Sequence, residues 1–184
     1  MRRKLWRAAW LLPALAPGWA LAHPVDEVVQ GAYLTLARGA VRLELDLTPG
    51  TEVADGVLRA IDANGDRQLS DAEARGFGER VLKQSTLTLN GKAVAWRLDR
   101  VSAPDYQDLQ LASATLKIYA VAQRVDRAGA QGLAYENRYQ PAKSQCIANI
   151  FLQPGGGWRY KVNAQQHTND GRGLTVNYAS DRSR

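Results

Sequence analysis

Polar and apolar residues alternate along much of the chain, and the clearest alternation predicts a β-hairpin near the start. Between residues 41 and 47 every second residue is Val or Leu, and the residues between them are Arg, Glu and Asp. A period of two places apolar side chains on one face of a strand and charged ones on the other. Arg38-Gly39 separates this segment from a weaker alternation over residues 27–38. The two segments are therefore predicted to pair across a turn.

The rest of the chain has the same period in many places and predicts a series of short strands. Asn90-Gly91, a strong two-residue hairpin signal, lies between the runs at residues 86–89 and 93–98. Further strands are predicted over residues 109–123, 132–140, 146–153, 158–166 and 173–179. Short strands at this spacing are typical of an antiparallel β-sandwich, so the predicted fold class is mainly β.

Between the second and third predicted strands the apolar spacing becomes helical. Apolar residues recur every three or four positions over residues 51–61 and again over 71–83. Gly76 and Gly78 weaken the second helix by about 1 kcal/mol each relative to Ala. The predicted architecture is an antiparallel β-sandwich with one helix–loop–helix inserted at about residues 51–84.

Residues 1–22 have the organisation of a secretory signal peptide. A basic triplet at residues 2–4 precedes an apolar stretch that is shorter than the ~20 residues needed to span a membrane. The sequence Ala-Leu-Ala at residues 20–22 is a small-x-small cleavage site. We expect cleavage after Ala22 and a mature chain, residues 23–184, that forms a single domain. That chain is expected to be periplasmic or secreted and not an integral membrane protein.

Most of the net positive charge of the chain lies in this leader. The rest of the chain therefore lacks the positive charge that binding to nucleic acid would need. The chain has 24 Lys+Arg and 18 Asp+Glu, a formal net charge of +6 at pH 7. Four of the basic residues and none of the acidic ones fall within residues 1–22, so the remaining 20 basic and 18 acidic residues leave a net charge of +2. Without a basic block, binding to a phosphate backbone lacks its electrostatic support, and we expect no nucleic-acid partner.

The loop between the two predicted helices carries the most specific chemistry in the chain. It spans residues 62–73, and oxygen-bearing side chains fall at alternating positions within it. These candidate metal ligands are Asp62, Asn64, Asp66, Gln68, Ser70 and, at the end of the loop, Glu73. Ca²⁺ is a hard cation that takes six to eight oxygen ligands, and this spacing lets a short loop wrap around one ion.

This segment resembles the calcium loop of an EF-hand, and its flanking helices fall where that family has them. The resemblance implies that the first three of these side chains are direct ligands. Gln68 would offer its backbone carbonyl, Ser70 would act directly or through a water, and Glu73 would close the cage with both carboxylate oxygens. Leu69 is apolar, as in the family, and is expected to join the core. The cofactor implied is Ca²⁺.

One position departs from the family pattern. Position 6 of the loop is usually Gly because the backbone turns there with positive φ, but this chain has Arg67. A non-Gly residue in that conformation costs roughly 1 kcal/mol, or about five- to tenfold in affinity if the strain is felt mainly on binding. We therefore expect a Kd of ~10⁻⁵–10⁻³ M for Ca²⁺ and poor competition from Mg²⁺, which prefers a smaller octahedral cage. The alternative is a helical hairpin whose acidic turn binds no ion.

The sequence contains one such loop, and EF-hands that act as switches usually occur in pairs. A structural ion, which stiffens the insertion against the sandwich, is therefore expected in preference to a sensor.

The two histidines of the chain suggest an alternative, a copper site. Cleavage after Ala22 leaves His23 at the N-terminus, where its free amine and imidazole can chelate one metal together, and His167 is the second histidine. This pair resembles the histidine brace of secreted copper proteins and copper-dependent polysaccharide oxygenases. Nitrogen ligands in a flat arrangement suit Cu(II). The other interpretation is two surface histidines without a shared role.

Several segments spread over most of the mature chain share a pattern with a known group of proteins. They are residues 23–27, 41–50, the loop 62–73, residues 135–141 with Ser144 and Asn149, Gln165, and residues 174–178. In these segments the chain is similar to the periplasmic EF-hand/β-sandwich regions at the N-terminus of, or beside, bacterial nickel/cobalt-type and hydrogenase/urease accessory permeases. The resemblance implies an exported module whose partner is another exported or membrane protein.

No catalytic constellation stands out in the sequence, which has no Gly-rich phosphate loop, no His-Glu zinc helix and no Ser elbow. Cys146, the only cysteine, lies in a predicted strand and is interpreted as a small buried hydrophobe, with His167 as its one internal candidate partner. We expect a calcium-binding interaction module and no enzymatic activity. A copper protein or oxygenase, and a sugar or peptide binder using Tyr135–Tyr139, Trp158 and Tyr160, are the alternatives; core packing is the favoured role of these aromatics.

Overall fold

The structure is a computed structural model that describes residues 25–182 of the chain. The strands in this range are β1 (Val28–Ala37), β2 (Ala40–Pro49), β3 (Ser85–Leu89), β4 (Lys92–Val94), β5 (Arg97–Ser102), β6 (Leu116–Gln123), β7 (Gly129–Asn137), β8 (Ser144–Gln153), β9 (Trp158–His167) and β10 (Gly173–Arg182). The helices in this range are α1 (Ala54–Ile61), α2 (Asp71–Leu82) and α3 (Tyr106–Gln110). The predicted signal peptide, residues 1–22, lies outside the described residues.

The strands form two five-stranded sheets, which confirms the predicted β-sandwich. The first sheet has the order β5-β6-β2-β1-β8 and the second the order β4-β3-β7-β10-β9. The pairings are antiparallel except that β8 runs parallel to β1. The chain crosses from β7 in the second sheet and enters β8 beside the start of β1, where the Val28 amide donates to the Lys143 carbonyl at 2.8 Å. Because both strands start at the same end of the sandwich, they run in the same direction.

The predicted first hairpin is formed by β1 and β2, which pair from Val28↔Pro49 to Ala37↔Ala40. Gly39, in the turn between them, has φ of +68°. The alternation along β2 points its Val and Leu side chains inward, where each is at most 1% exposed. A single continuous core joins apolar residues of both sheets with those of α1 and α2.

The inserted helices were also predicted, and their apolar faces pack on the sandwich. Ala54, Leu58 and Ile61 of α1 are fully buried. In α2, Gly78 lies against β5 so closely that a Cβ atom at this position would stand 2.6 Å from Cγ2 of Val101. Close packing is therefore the physical reason for Gly78, although that residue weakens the helix itself.

The prediction of one strand over residues 109–123 is wrong. Leu109 instead belongs to the short helix α3 and is fully buried, and Ala112 turns the chain with φ of +55° before β6 begins at Leu116. The strand predicted over residues 93–98 is also divided, because β4 ends at Val94 and β5 joins the other sheet.

Candidate metal centre

The loop between α1 and α2 is wound around the carboxylate of Asp62, the first residue after α1. Asp62 Oδ1 accepts the Gly65 amide at 2.8 Å, and Oδ2 accepts the Arg67 amide at 3.0 Å. Asp62 is 9% exposed. Two backbone donors therefore hold a largely buried carboxylate at the centre of the turn, with further lone pairs free on its oxygens.

The next two candidate ligands shape the loop in the same way. Asn64 Oδ1 accepts the Asp66 amide at 2.9 Å, and Asp66 Oδ1 accepts the Gln68 amide at 2.8 Å. Asn64 Nδ2 also donates to Asp66 Oδ2 at 2.9 Å. These side-chain bonds to the backbone two residues ahead are Asx turns. They fold the loop inward and bring the candidate ligands side by side.

Glu73 ties the start of α2 back to the start of the loop. Its Oε2 accepts the Ser70 hydroxyl at 2.6 Å, and its Oε1 accepts the Ala63 amide at 2.9 Å. Ser70 is the N-cap of α2, and Glu73 completes a capping box with it. The hydrogen bond from the Ser70 side chain, with backbone donors, lowers the pKa of the Glu73 carboxyl, which is therefore ionised at neutral pH.

The backbone of the loop is left-handed at its sixth position, as in an EF-hand loop. Arg67 has φ of +61°, which confirms the predicted left-handed conformation at this residue, and Gly65 has φ of +75°. Leu69 is partly buried and packs against the core, also as predicted. The loop therefore contacts the core through its one large apolar residue.

The donor set fits a calcium ion, although the side chains have to rearrange to hold one. Within residues 25–182 no three carboxylate, imidazole or thiolate groups stand close enough together to hold a metal. In the loop the oxygens of Asp62 and Glu73 are turned toward N–H and O–H donors. A switch of Glu73 away from Ser70 and Ala63 would complete an all-oxygen set of the kind that Ca²⁺ takes.

The copper alternative involves one residue inside and one outside the described range. His167 ends β9, and its Nε2 lies 2.9 Å from the carbonyl oxygen of Ala148 on β8. His23 lies outside the described residues. The interactions of His167 therefore give no support of their own to a brace.

The cysteine and the aromatic residues considered as functional candidates from the sequence are packed into the fold. Cys146, predicted to be buried, is only partly buried. That partial burial raises the pKa of its thiol, which stays protonated rather than nucleophilic at neutral pH. Tyr135 and Tyr160 are buried in the core, and Trp158 packs against it. The aromatic residues that were candidates for a ligand groove thus pack as core residues.

A buried polar cluster at the end of β6 was not predicted. The guanidinium of Arg124 pairs with Asp126 and is 3% exposed, and it also donates to the hydroxyl of Tyr178 at 3.2 Å. Asp126 accepts the Gly39 amide at 2.9 Å and the Tyr160 hydroxyl at 3.2 Å. The available sequence signal was two opposite charges two positions apart, which share one face of an extended chain.

None of the helices between residues 25 and 182 is both long and apolar enough to cross a membrane. No protein-family model and no curated protein matches this chain.

Proposed function

We propose that this protein binds one Ca²⁺ ion in the loop of residues 62–73 and that the ion is structural. The observation that carries the proposal is the winding of the loop about Asp62, whose two oxygens accept the amides of Gly65 and Arg67. A loop wound around a carboxylate, with a left-handed residue at its sixth position, has the shape that an EF-hand cage needs.

The ligands of the proposed site come from alternating positions of the loop. Asp62, Asn64 and Asp66 would bind through side-chain oxygens, and Gln68 through its backbone carbonyl. Ser70 would act directly or through a water. Glu73 would supply both carboxylate oxygens, which join the first turn of α2 to the end of α1. An ion held in this way stiffens the insertion, because its ligands span both helices.

The setting proposed for this protein is the periplasm or the extracellular space, with another exported or membrane protein as its partner. The support for this setting comes from the signal-like leader of residues 1–22. N-terminal sequencing of the protein recovered from an exporting host tests the cleavage, which is expected after Ala22. An intact leader in the recovered protein would contradict export.

Calorimetric titration of the purified, calcium-free protein tests the metal site. We expect one site with a Kd of ~10⁻⁵–10⁻³ M for Ca²⁺ and weaker binding of Mg²⁺. Asp62→Ala and Glu73→Gln should abolish the binding. Asp71→Asn is the matched control, because it removes a carboxylate from the exposed start of α2 without touching a proposed ligand.

Thermal unfolding measures how much the bound ion stabilises the folded protein. Calcium at 100 times its Kd should stabilise the wild-type protein by about 2.7 kcal/mol and the Glu73→Gln variant not at all. No calorimetric signal and no thermal shift at millimolar Ca²⁺ would refute the proposal, and equal losses in Glu73→Gln and Asp71→Asn would reduce it to general charge attraction.

A further inference from the structure

A cavity of about 380 Å³ opens at one end of the sandwich, away from the residues of the calcium loop. The β3–β4 hairpin contributes Leu89 and Val94 to its lining, and the segment after β6 contributes Arg124 and Val125. Tyr178 of β10 also lines it and is 2% exposed, so it marks the deep end of the cavity. This volume and a mostly apolar lining with a few polar groups are characteristic of small-molecule sites.

The charged groups at this cavity have one sign. Lys92 and Arg127 line it, and neither forms an ion pair with any residue in the described range 25–182. No Asp or Glu lines it. Arg124 is already neutralised by Asp126, so the uncompensated positive charge comes from the two cations at the exposed mouth.

Two side-chain acceptors of the lining are engaged, whereas Lys92, Arg127 and the Tyr178 hydroxyl are donors with no hydrogen-bond acceptor within residues 25–182. Asn90 Oδ1 accepts the Gly132 amide at 2.8 Å, and Gln131 Oε1 accepts from Asn90 Nδ2 at 2.6 Å. The Tyr178 hydroxyl accepts from Arg124 and donates to no described residue. Burial raises the pKa of the Tyr178 phenol, so its hydrogen is present at neutral pH. The cavity thus offers donors to a ligand that brings acceptor oxygens.

From these observations we infer that this cavity, which we call the seam cavity, binds a small carboxylate with an apolar tail. The tail lies against Leu89, Val94 and the ring of Tyr178. The carboxylate accepts hydrogen bonds from Lys92 and Arg127 at the mouth, and such charge-assisted bonds are about twice as strong as bonds between neutral groups. A medium-chain fatty acid has this chemistry.

Calorimetric titration with decanoate tests the inference in the purified protein. One saturable site is expected for decanoate, with at least about tenfold weaker binding of decanol, which lacks the charge, and of acetate, which lacks the tail. Equal binding of decanol and decanoate, or no saturable binding of decanoate, would overturn the inference.

Paired variants locate the site. The double variant Lys92→Gln/Arg127→Gln should weaken decanoate binding by about tenfold. Its matched control, Arg159→Gln/Lys161→Gln, removes two exposed cations from β9 and should leave the affinity unchanged. An equal loss in both double variants, or none in the first, would contradict binding at the seam cavity.

A second pair of variants tests the mouth of the cavity without disturbing the core. Val125 is 75% exposed, so substitutions there leave packing intact. Val125→Asp places a carboxylate beside the proposed anion and should weaken decanoate binding several-fold, whereas Val125→Asn should have a smaller effect. Equal effects of the two substitutions would contradict an anionic ligand. The seam cavity and the calcium loop share no residue, so failure here leaves the proposed calcium site intact.

Discussion

Arg67 shows how a single residue can tune the calcium loop. Its φ of +61° is a conformation that costs a non-Gly residue roughly 1 kcal/mol. Arg67→Gly should therefore tighten Ca²⁺ binding by up to about five- to tenfold, the full factor applying if the strain is felt mainly on binding, because Gly adopts this conformation without that cost. Calorimetric titration of the variant beside the wild-type protein measures the change.

Gly65 provides the reciprocal test in the same loop. It has φ of +75°, and a Cβ atom there would meet nothing within 4 Å, so Gly65→Ala adds backbone strain without a steric clash. This variant should weaken Ca²⁺ binding by a similar factor. Tighter binding by Gly65→Ala, or weaker binding by Arg67→Gly, would mean that left-handed strain does not limit the affinity.

Tyr139 gives the fold a dependence on alkaline pH. Its ring packs edge-on against Phe77 at 5.8 Å, and burial raises the pKa of its phenol to about 12, above the ordinary 10. The folded state favours the neutral phenol, so this contribution is complete below about pH 10 and is lost as the pH rises toward 12.

Denaturant unfolding at about pH 9 and about pH 12 measures this loss, which should reach up to about 2 kcal/mol. Other buried tyrosines lose stability in the same range, so the relevant quantity is the difference between wild-type protein and Tyr139→Phe. The variant should lose less stability between the two pH values, and an equal loss would rule out Tyr139 as a source.

At the scale of the element, the two glycines of α2 have opposite effects. A Cβ atom at Gly76 would meet only Arg80 Nη1 at 3.5 Å, whereas one at Gly78 would stand 2.6 Å from Val101 on β5. Gly76→Ala should stabilise the protein by about 1 kcal/mol through helix propensity. Gly78→Ala should destabilise it by about 1–3 kcal/mol, because α2 would be forced off the sheet.

Urea unfolding of the two single variants checks this pair, since each changes the same residue type in the same helix. If both variants were stabilised equally, the contact between α2 and β5 would be looser than the structure has it.

The elements that were predicted correctly are those specified by patterns of only a few residues. The Asn90-Gly91 turn and the alternation along β2 act over a few residues, and both predictions were confirmed. The helix α3 was missed because the predicted strand was extended from Leu116 back to Leu109, although these leucines lie seven positions apart and would face opposite sides of a strand; Leu109 is buried as part of a helix. The parallel pairing of β1 with β8 joins residues more than a hundred positions apart, and no local pattern specifies it.

The same distinction holds for the candidate sites. The ligands of the calcium loop lie within residues 62–73, so their spacing is visible in the sequence. The lining of the seam cavity comes from three distant parts of the chain, near Val94, Arg124 and Tyr178, which only the packing of two sheets brings together.

At the scale of the whole molecule, a buried polar network fastens the two sheets to each other. Asn137, at the end of β7, donates to Gln30 Oε1 on β1 at 2.8 Å. Gln30 Nε2 in turn donates to the Tyr139 carbonyl and to Ser144 Oγ, each at 3.1 Å. Asn137 Oδ1 accepts the Tyr139 amide at 3.0 Å and the Ser85 hydroxyl at 3.3 Å. The crossing from β7 to β8 is therefore bonded to both sheets.

Asn137→Ala should destabilise the protein by about 2–4 kcal/mol. The substitution leaves the buried Gln30 Oε1 and the partly buried Tyr139 amide without this partner, and a fully buried unsatisfied group costs about 1–3 kcal/mol. Asn163→Ala, on the exposed face of β9, is the matched control and should change the free energy of unfolding by less than about 0.5 kcal/mol. Chemical denaturation followed by circular dichroism and by tryptophan fluorescence measures both variants. A loss for Asn137→Ala no larger than for the control would mean that apolar packing alone holds the sheets together.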